Sequence, residues 1–415
     1  MKRINCLLLA VTLLVTGLAL TLAGCSSPTD DKNEPKYNEI TINLQKVGDS
    51  YDYFPYIITR LHYNLYQMNT MPVLNGDSSG ATRDGNLGGS GVSMFMLLGK
   101  QKALLIDWGN NYTYGAASDG IPPEATYVEE LTGKSASTIF MTMIKSLAEG
   151  REIVAAATHA HVDHIGMSES LADNGIKMWI GAGENADLVD TVMTYCPTYN
   201  PGNALYDSSK PALSGFVETI DHGTTFFDLG GGVFVDTQRV RGHSNGGVIF
   251  LERRYALVFT GDAYASGLGL SVSNTAFFNV LEPDTKDLVD FIMENYSPIQ
   301  RAQMKVLTGH SWHLGTNSVE ANGDNARLAQ LGLAIPVFDG LWMEWRFIQD
   351  MNLLLQGLKN GDYNDPFSGV LYRGENMGTA FNRHGWVYGT AFIKTNNTSV
   401  VTDWSGIPFV PRVWP

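Results

Sequence analysis

Thr158-His159-Ala160-His161-Val162-Asp163-His164-Ile165-Gly166 carries three histidines and one aspartate within six consecutive positions. The segment before it, Glu152 to Ala157, is short and apolar and reads as a buried strand; Gly166 to Asn174 reads as the start of a helix. The cluster is therefore expected on a strand-to-helix loop at the rim of a sheet, where open sheets keep their sites. Imidazole with carboxylate is the donor set of zinc and its first-row neighbours. The fold follows from whether the rest of the chain delivers further ligands in the same way, from strand ends.

The chain of 415 residues is 44% hydrophobic and 11% aromatic, enough for a sizeable core and against wholesale disorder. Its first residues have the form of a leader. Lys2 and Arg3 precede an apolar run from Leu7 to Ala23, and small residues end in Cys25. This resembles a bacterial lipobox, which implies a signal peptide over 1–24, diacylation of Cys25 and anchoring to a membrane in the cell envelope without a spanning helix. An ordinary secretory signal with an incidental cysteine is the alternative. Ser26 to Lys36 is polar and holds two prolines, a flexible tether over 25–36. The formal charge is −14, and about −16 once Lys2 and Arg3 leave with the leader, a surface that repels phosphate backbones and excludes a nucleic-acid partner. Of three cysteines only Cys196 would remain unmodified, so no disulfide framework is expected; Cys196 reads as a buried structural thiol.

Downstream, the tyrosine-rich stretch 37–67 reads as strands, and 74–91 as a loop. Residues 92–98 and 103–107 form a hairpin pattern ending in Asp107, which would either accept a hydrogen bond from a ligand histidine or be a plain strand-end carboxylate. The spacing of Ile139, Met143 and Leu147 predicts a helix over 135–149 that stops at Gly150. A strand over 177–182, a helix over 184–195 and a loop over 201–214 follow. Four strand candidates lie at 226–227, 233–235, 248–251 and 256–259. A helix is predicted over 284–296 with Asp284 or Thr285 as cap, a strand over 305–308, one long helix over 336–359, and short strands in the last 50 residues. Strands and helices alternate without a regular βαβ period, which favours a layered α+β architecture over a doubly wound sheet.

Further ligand candidates sit where strands end. Gly242-His243-Ser244 and Gly309-His310-Ser311 each place a histidine after a glycine, and Thr260-Gly261-Asp262 delivers an aspartate in the same manner. The set formed by the 159–164 block, His243, Asp262 and His310, in that order, with Leu105-Ile106-Asp107-Trp108-Gly109 before it, resembles the metallo-β-lactamase superfamily over about residues 40 to 315. The resemblance implies a four-layer αββα sandwich carrying two divalent metal ions, zinc by default. His159, His161 and His243 would hold the first ion, Asp163, His164 and His310 the second, with Asp262 bridging them. It also implies that Asp163 has a catalytic role, orienting the attacking hydroxide and passing a proton to the leaving group. An aspartate at the bridging position resembles the hydrolase branches that act on esters, lactones, thioesters or phosphodiesters; the best-known β-lactamase branch has cysteine there. Tyr264 falls two residues after Asp262, one short of the lactonase tyrosine, and reads as a packing residue. The catalytic domain is then expected over 37–319, with a C-terminal helical and β extension over 320–415 packed on it. A small-molecule substrate is implied; its identity, the oligomeric state and the metal are not specified.

Two other readings compete. Gly242-His243-Ser244-Asn245-Gly246 satisfies the G-x-S-x-G pattern of serine hydrolases, with Ser244 as nucleophile, but such an elbow must feed a helix and here strand patterns follow. A non-enzymatic metal-binding lipoprotein would need a closed, histidine-dominated site.

Overall fold

The computed structural model describes residues 51–53, 56–70, 92–109, 129, 132–184, 187–264, 270–272, 276–309, 342–360, 371–373, 384–388 and 391–395. The chain divides into two units, Met1–Pro35 and Lys36–Pro415, and every described residue belongs to the second. The leader, Cys25, the tether and His310 lie outside the described residues.

Eight strands form the first sheet in sequence order: β1 (Tyr51–Tyr53), β2 (Tyr56–His62), β3 (Leu65–Thr70), β4 (Ser93–Leu98), β5 (Lys102–Ile106), β6 (Glu152–Ala156), β7 (Met178–Gly181) and β8 (Val217–Ile220). The first five pair antiparallel, and β5 through β8 run parallel. The crossovers carry α1 (Ala136–Leu147), capped by Ser135, the one-turn α2 (Val162–Ile165), α3 (Ser168–Asp173) and α4 (Leu188–Met193), capped by Asp187. Further on come β9 (Phe226–Asp228), β10 (Phe234–Arg239), β11 (Val248–Glu252), β12 (Leu257–Gly261), β13 (Leu270–Val272), α5 (Ala276–Asn295), α6 (Pro298–Gln303), β14 (Lys305–Thr308), β15 (Met343–Glu344) and α7 (Trp345–Lys359). The second sheet has the order β15-β14-β12-β11-β10-β9. A third, smaller sheet joins β13 to the C-terminal strands β16 (Leu371–Arg373), β17 (His384–Tyr388) and β18 (Ala391–Thr395).

The alternation of side chains along these strands defines the layers, because successive residues face opposite sides of a sheet. On the first sheet Met94, Met96, Leu98, Ala103 and Leu105 pack with Ile139, Phe140, Met143 and Ile144 of α1. Their neighbours Phe95, Leu97, Leu104 and Ile106 turn the other way. They meet Val248, Phe250, Leu257, Phe259 and Leu307 of the second sheet in one shared apolar layer. The opposite face of that sheet, Ile249, Leu251, Val258 and Val306, packs on Leu281, Leu288 and Ile292 of α5 and on Phe347, Ile348, Met351 and Leu355 of α7. Three apolar layers separate helices, sheet, sheet and helices: the protein is an αββα sandwich of α+β class, as expected.

The boundaries differ in four places. The 336–359 segment is not one helix: Met343–Glu344 pairs as β15 on β14, and the helix starts at Trp345. That helix, α7, packs with α5 in the outer helical layer of the sandwich. α5 begins eight residues before Asp284 and runs through Pro283. Proline lacks the amide for the preceding turn, but the buried row Leu281, Leu288 and Ile292 holds the helix against the sheet on both sides of it. Asp284 and Thr285 therefore cap nothing. The helix expected over 184–195 is confined to Leu188–Met193, since the Asp187 carboxylate accepts from the amides of Val189 and Asp190 and fixes the start there. Finally, Asp163 and His164 sit in α2 rather than on an open loop.

Candidate metal centre

Asp107 follows β5 with a left-handed backbone (φ 57), which an aspartate tolerates better than most residues. The turn aims its carboxylate, 1% exposed, across the end of β6. Oδ1 accepts from the Thr158 amide (2.7 Å), and Oδ2 accepts from Thr158 Oγ1 (2.8 Å) and lies 2.8 Å from His164 Nδ1. That contact settles the open alternative at Asp107: it orients a histidine. With Nδ1 occupied, His164 presents Nε2 to Asp262 Oδ1 (3.5 Å) and Asp163 Oδ2 (3.8 Å). Thr158 Oγ1 also lies 3.1 Å from His159 Nδ1, which turns His159 Nε2 inward. α2 is docked by the Trp108 amide donating to the His164 carbonyl (2.7 Å) and the Trp108 indole donating to Ser168 (2.9 Å).

The second sheet brings in further candidate ligands. His243, on the loop between β10 and β11, places Nε2 2.9 Å from His161 Nδ1, which is itself 2.9 Å from His159 Nε2. Asp262 Oδ2 lies 3.6 Å from His243 Nε2. Two groups of donor atoms result, each lying wholly within 4.8 Å: His159, His161 and His243, and His159, His164 and Asp262. Imidazole nitrogens and carboxylate oxygens that converge at this spacing fit a divalent ion. Gly309 gives the same indication, for a Cβ there would lie 2.3 Å from Asp262 Oδ1 and 3.0 Å from His164 Cε1. Only a glycine admits the backbone so close to the cluster.

Electrostatics divides the histidines. Burial pushes the His159 pKa well below its ordinary value, and the neighbouring His164 and His243 push in the same direction. For His164 burial also disfavours charge, but the carboxylates of Asp262, Asp163 and Asp107 outweigh it and hold the pKa well above the usual histidine range. His159 and His164 are buried, His243 is partly exposed and His161 is exposed, so the cluster has one solvent-facing side.

Of the seven expected ligands, the structure brings together His159, His161, His164, His243 and Asp262, with Asp163 beside His164; His310 lies outside the described residues. Ser244 leads through Gly246 and Gly247 directly into β11, and no helix follows it, which removes the nucleophile-elbow geometry. Tyr264 is fully buried, hydrogen-bonds Thr285 Oγ1 (3.1 Å) and packs edge-on against Phe347, a packing residue as read. Cys196 is a buried free thiol whose pKa burial pushes up, which keeps it unreactive. Sequence reasoning missed Thr158 as an orienting group. It also missed Glu184, whose carboxylate accepts from the Ala160 amide (3.3 Å) between two ligands, and the partners of Asp284 and Thr285. Only Thr158 carried a signal, its place beside the motif.

Fold and site together define a layered αββα protein with a histidine–aspartate cluster fitted to divalent metal at the paired ends of its sheets. No family model matches the sequence, and no curated protein matches it. Solved structures that match include a metallo-beta-lactamase from Pontibacter korlensis (15% identity, 72% of this chain and 99% of that one, TM-score 0.40). Others are VMB-1 (16% identity, 61% and 89%, TM-score 0.37) and the DIM-1 metallo-beta-lactamase exposed to ceftazidime (14% identity, 63% and 91%, TM-score 0.36).

Proposed function

We propose that this chain is a metal-dependent hydrolase of the metallo-β-lactamase superfamily, with a dinuclear centre bridged by Asp262. Its substrate is a small molecule with an ester, lactone, thioester, amide or phosphodiester bond, a carboxylic ester or lactone before a β-lactam. The observation that carries this reading is the convergence of the His159, His161 and His243 nitrogens on one side and His164 and Asp262 on the other, open to solvent at His161. Divalent ions bound there supply Lewis acidity and activate water at neutral pH. The chain's own residues do the rest. Asp107 and Thr158 fix the ring orientations of His164 and His159. Asp163, partly exposed beside His164, takes the proton released as water attacks and returns it through its carboxylate oxygen to the leaving group. The open side distinguishes this from a closed metal-carrier site. No helix among the described residues is long and apolar enough to cross a membrane. Export on a lipid anchor at Cys25 is part of the proposal, and rests on the sequence of the leader.

The test is metal content with a hydrolysis panel of lactones, carboxylic esters, β-lactams, thioesters and phosphodiesters. The expected result is two ions per chain and hydrolysis that a chelator abolishes, with Asp262→Ala at least about 100-fold slower. Hydrolysis that survives the chelator but yields to a serine-directed phosphonate overturns the reading. So does a single exchangeable ion with no activity on any substrate.

A further inference from the structure

Two consecutive residues of α5, Asp284 and Thr285, each reach one of the two loops through which the second sheet delivers its ligands. Asp284 is 4% exposed and makes three hydrogen bonds to one residue. Its Oδ2 accepts from the Arg241 amide (2.9 Å) and Arg241 Nε (2.8 Å), and its Oδ1 accepts from Arg241 Nη2 (2.8 Å). A bidentate guanidinium–carboxylate pair with an added backbone donor fixes orientation as well as position. Arg241 is two residues before His243, and only Gly242 (φ 134) stands between them. The loop is closed at its base by the Val240 amide donating to the Gly247 carbonyl (3.0 Å), and Gly242 donates to Ser244 (3.1 Å) within it. The loop is thus a small rigid body whose placement is set at Arg241.

Thr285, fully buried, holds the Tyr264 hydroxyl at 3.1 Å, and Tyr264 is two residues after Asp262. The same helix turn therefore holds the His243 loop by its upstream side and the Asp262 loop by its downstream side. α5 is in turn tied to α7 by an ion pair between Lys359 and Glu282. Nothing in a helix requires either contact: an aspartate in mid-helix is unfavourable by propensity, and a buried threonine hydroxyl needs a partner.

We infer that Asp284 and Thr285 are a positioning pair that sets the spacing of His243 and Asp262, 3.6 Å between Nε2 and Oδ2, and so the affinity of the ion that His243 holds. The inference rests on the metal-centre reading above, but the experiment separates the two. Stepwise zinc affinities are measured by calorimetry with a competing chelator on the full chain, alongside the melting temperature of the metal-free protein. Asp284→Asn keeps the shape and removes the charge. It is expected to weaken one of the two ions about tenfold and leave the other within about twofold, with the metal-free melting temperature near wild type. Thr285→Val, which removes only the hydroxyl, is expected to weaken an ion about threefold, and it carries the test if Asp284→Asn does not fold. Asp284→Glu is expected to stay low, since the longer side chain displaces Arg241. A purely structural staple predicts the reverse: a lower melting temperature with both affinities unchanged. That result, or wild-type affinities in every variant that folds, overturns the inference. Wild-type protein that binds a single ion instead overturns the dinuclear reading, and the pair is then judged on whether Asp284→Asn or Thr285→Val weakens that ion.

Discussion

The two sheets contribute to the same cluster in different ways. The first delivers His159, His161, Asp163 and His164 on one continuous run behind β6, steadied chiefly by Asp107 and Thr158. The second delivers His243 and Asp262 from two separate strand ends, steadied by side chains of a helix on its far side. In the first case the backbone itself sets the ligand spacing; in the second the spacing exists only when the helix has docked. The two halves meet through backbone contacts: the Val248 amide donates to the Thr158 carbonyl (2.7 Å), and Ser93 donates to Gly309 (2.8 Å). A local motif can thus be preformed while its partner half depends on tertiary packing.

The seam between the halves is where a single change does most damage. Gly261 ends β12 at a register irregularity with β14 and has φ +49; a Cβ there would lie 2.2 Å from Thr158 Oγ1. Gly261→Ala forces the two ligand-bearing ends apart and adds a left-handed backbone cost, together about 2–4 kcal/mol of unfolding free energy. Gly150→Ala separates the contributions, since Gly150 also has positive φ (81) but open space around its Cβ, and should cost only about 1 kcal/mol. Equal losses in denaturant melts of the two variants would mean that the seam carries no steric constraint.

The next largest effect tests how far the first half depends on Asp107. Asp107→Asn keeps the left-handed backbone but puts an amide where Thr158 and His164 require an acceptor. Zinc affinity should fall about 10- to 100-fold, as for loss of other groups that orient a ligand histidine. The second-sheet variants described above should fall less, because their support is shared between two side chains. An Asp107→Asn protein that binds zinc as tightly as wild type would show that the run 159–164 holds its geometry without help.

The same contrast explains what the sequence made legible. His159 to His164 could be read because six consecutive residues fix their own spacing, and Asp262 and His243 because a strand pattern ended just before each. The layered class followed from the irregular order of strands and helices. Asp284 and Thr285 looked like helix caps because both residue types favour that role. Their true partners, 43 and 21 residues away, have no local signature. The start of α7 was misplaced for a similar reason: Met343 is apolar and fits a helix stripe, and only its pairing with Val306 makes it a strand residue.

The smallest expected effect on the metal centre is at a second buried carboxylate, at the opposite pole of the comparison. Glu252 ends β11, is fully buried, and accepts from the amides of Arg254 (2.9 Å) and Tyr255 (2.6 Å) in the turn to β12. Burial pushes its pKa up to about 8, against the pull of those two amides and of the Arg254 and Arg253 charges. A carboxyl with a raised pKa in the folded state holds its proton there longer than in the unfolded chain. Its contribution is therefore complete below about pH 4.5 and declines as pH rises, the loss being complete above about 8. Stability measured in urea at pH 5 and pH 8.5 should differ by up to about 4 kcal/mol through this group, lower at the higher pH. Glu252→Gln cannot ionise and should flatten that slope, while losing one turn hydrogen bond worth about 1 kcal/mol at every pH. Metal affinity should not change, because Glu252 sits at the end of β11 away from the His243 loop. A slope that persists in Glu252→Gln would move the pH dependence to other groups, and a changed zinc affinity would show that the two ends of the second sheet are coupled.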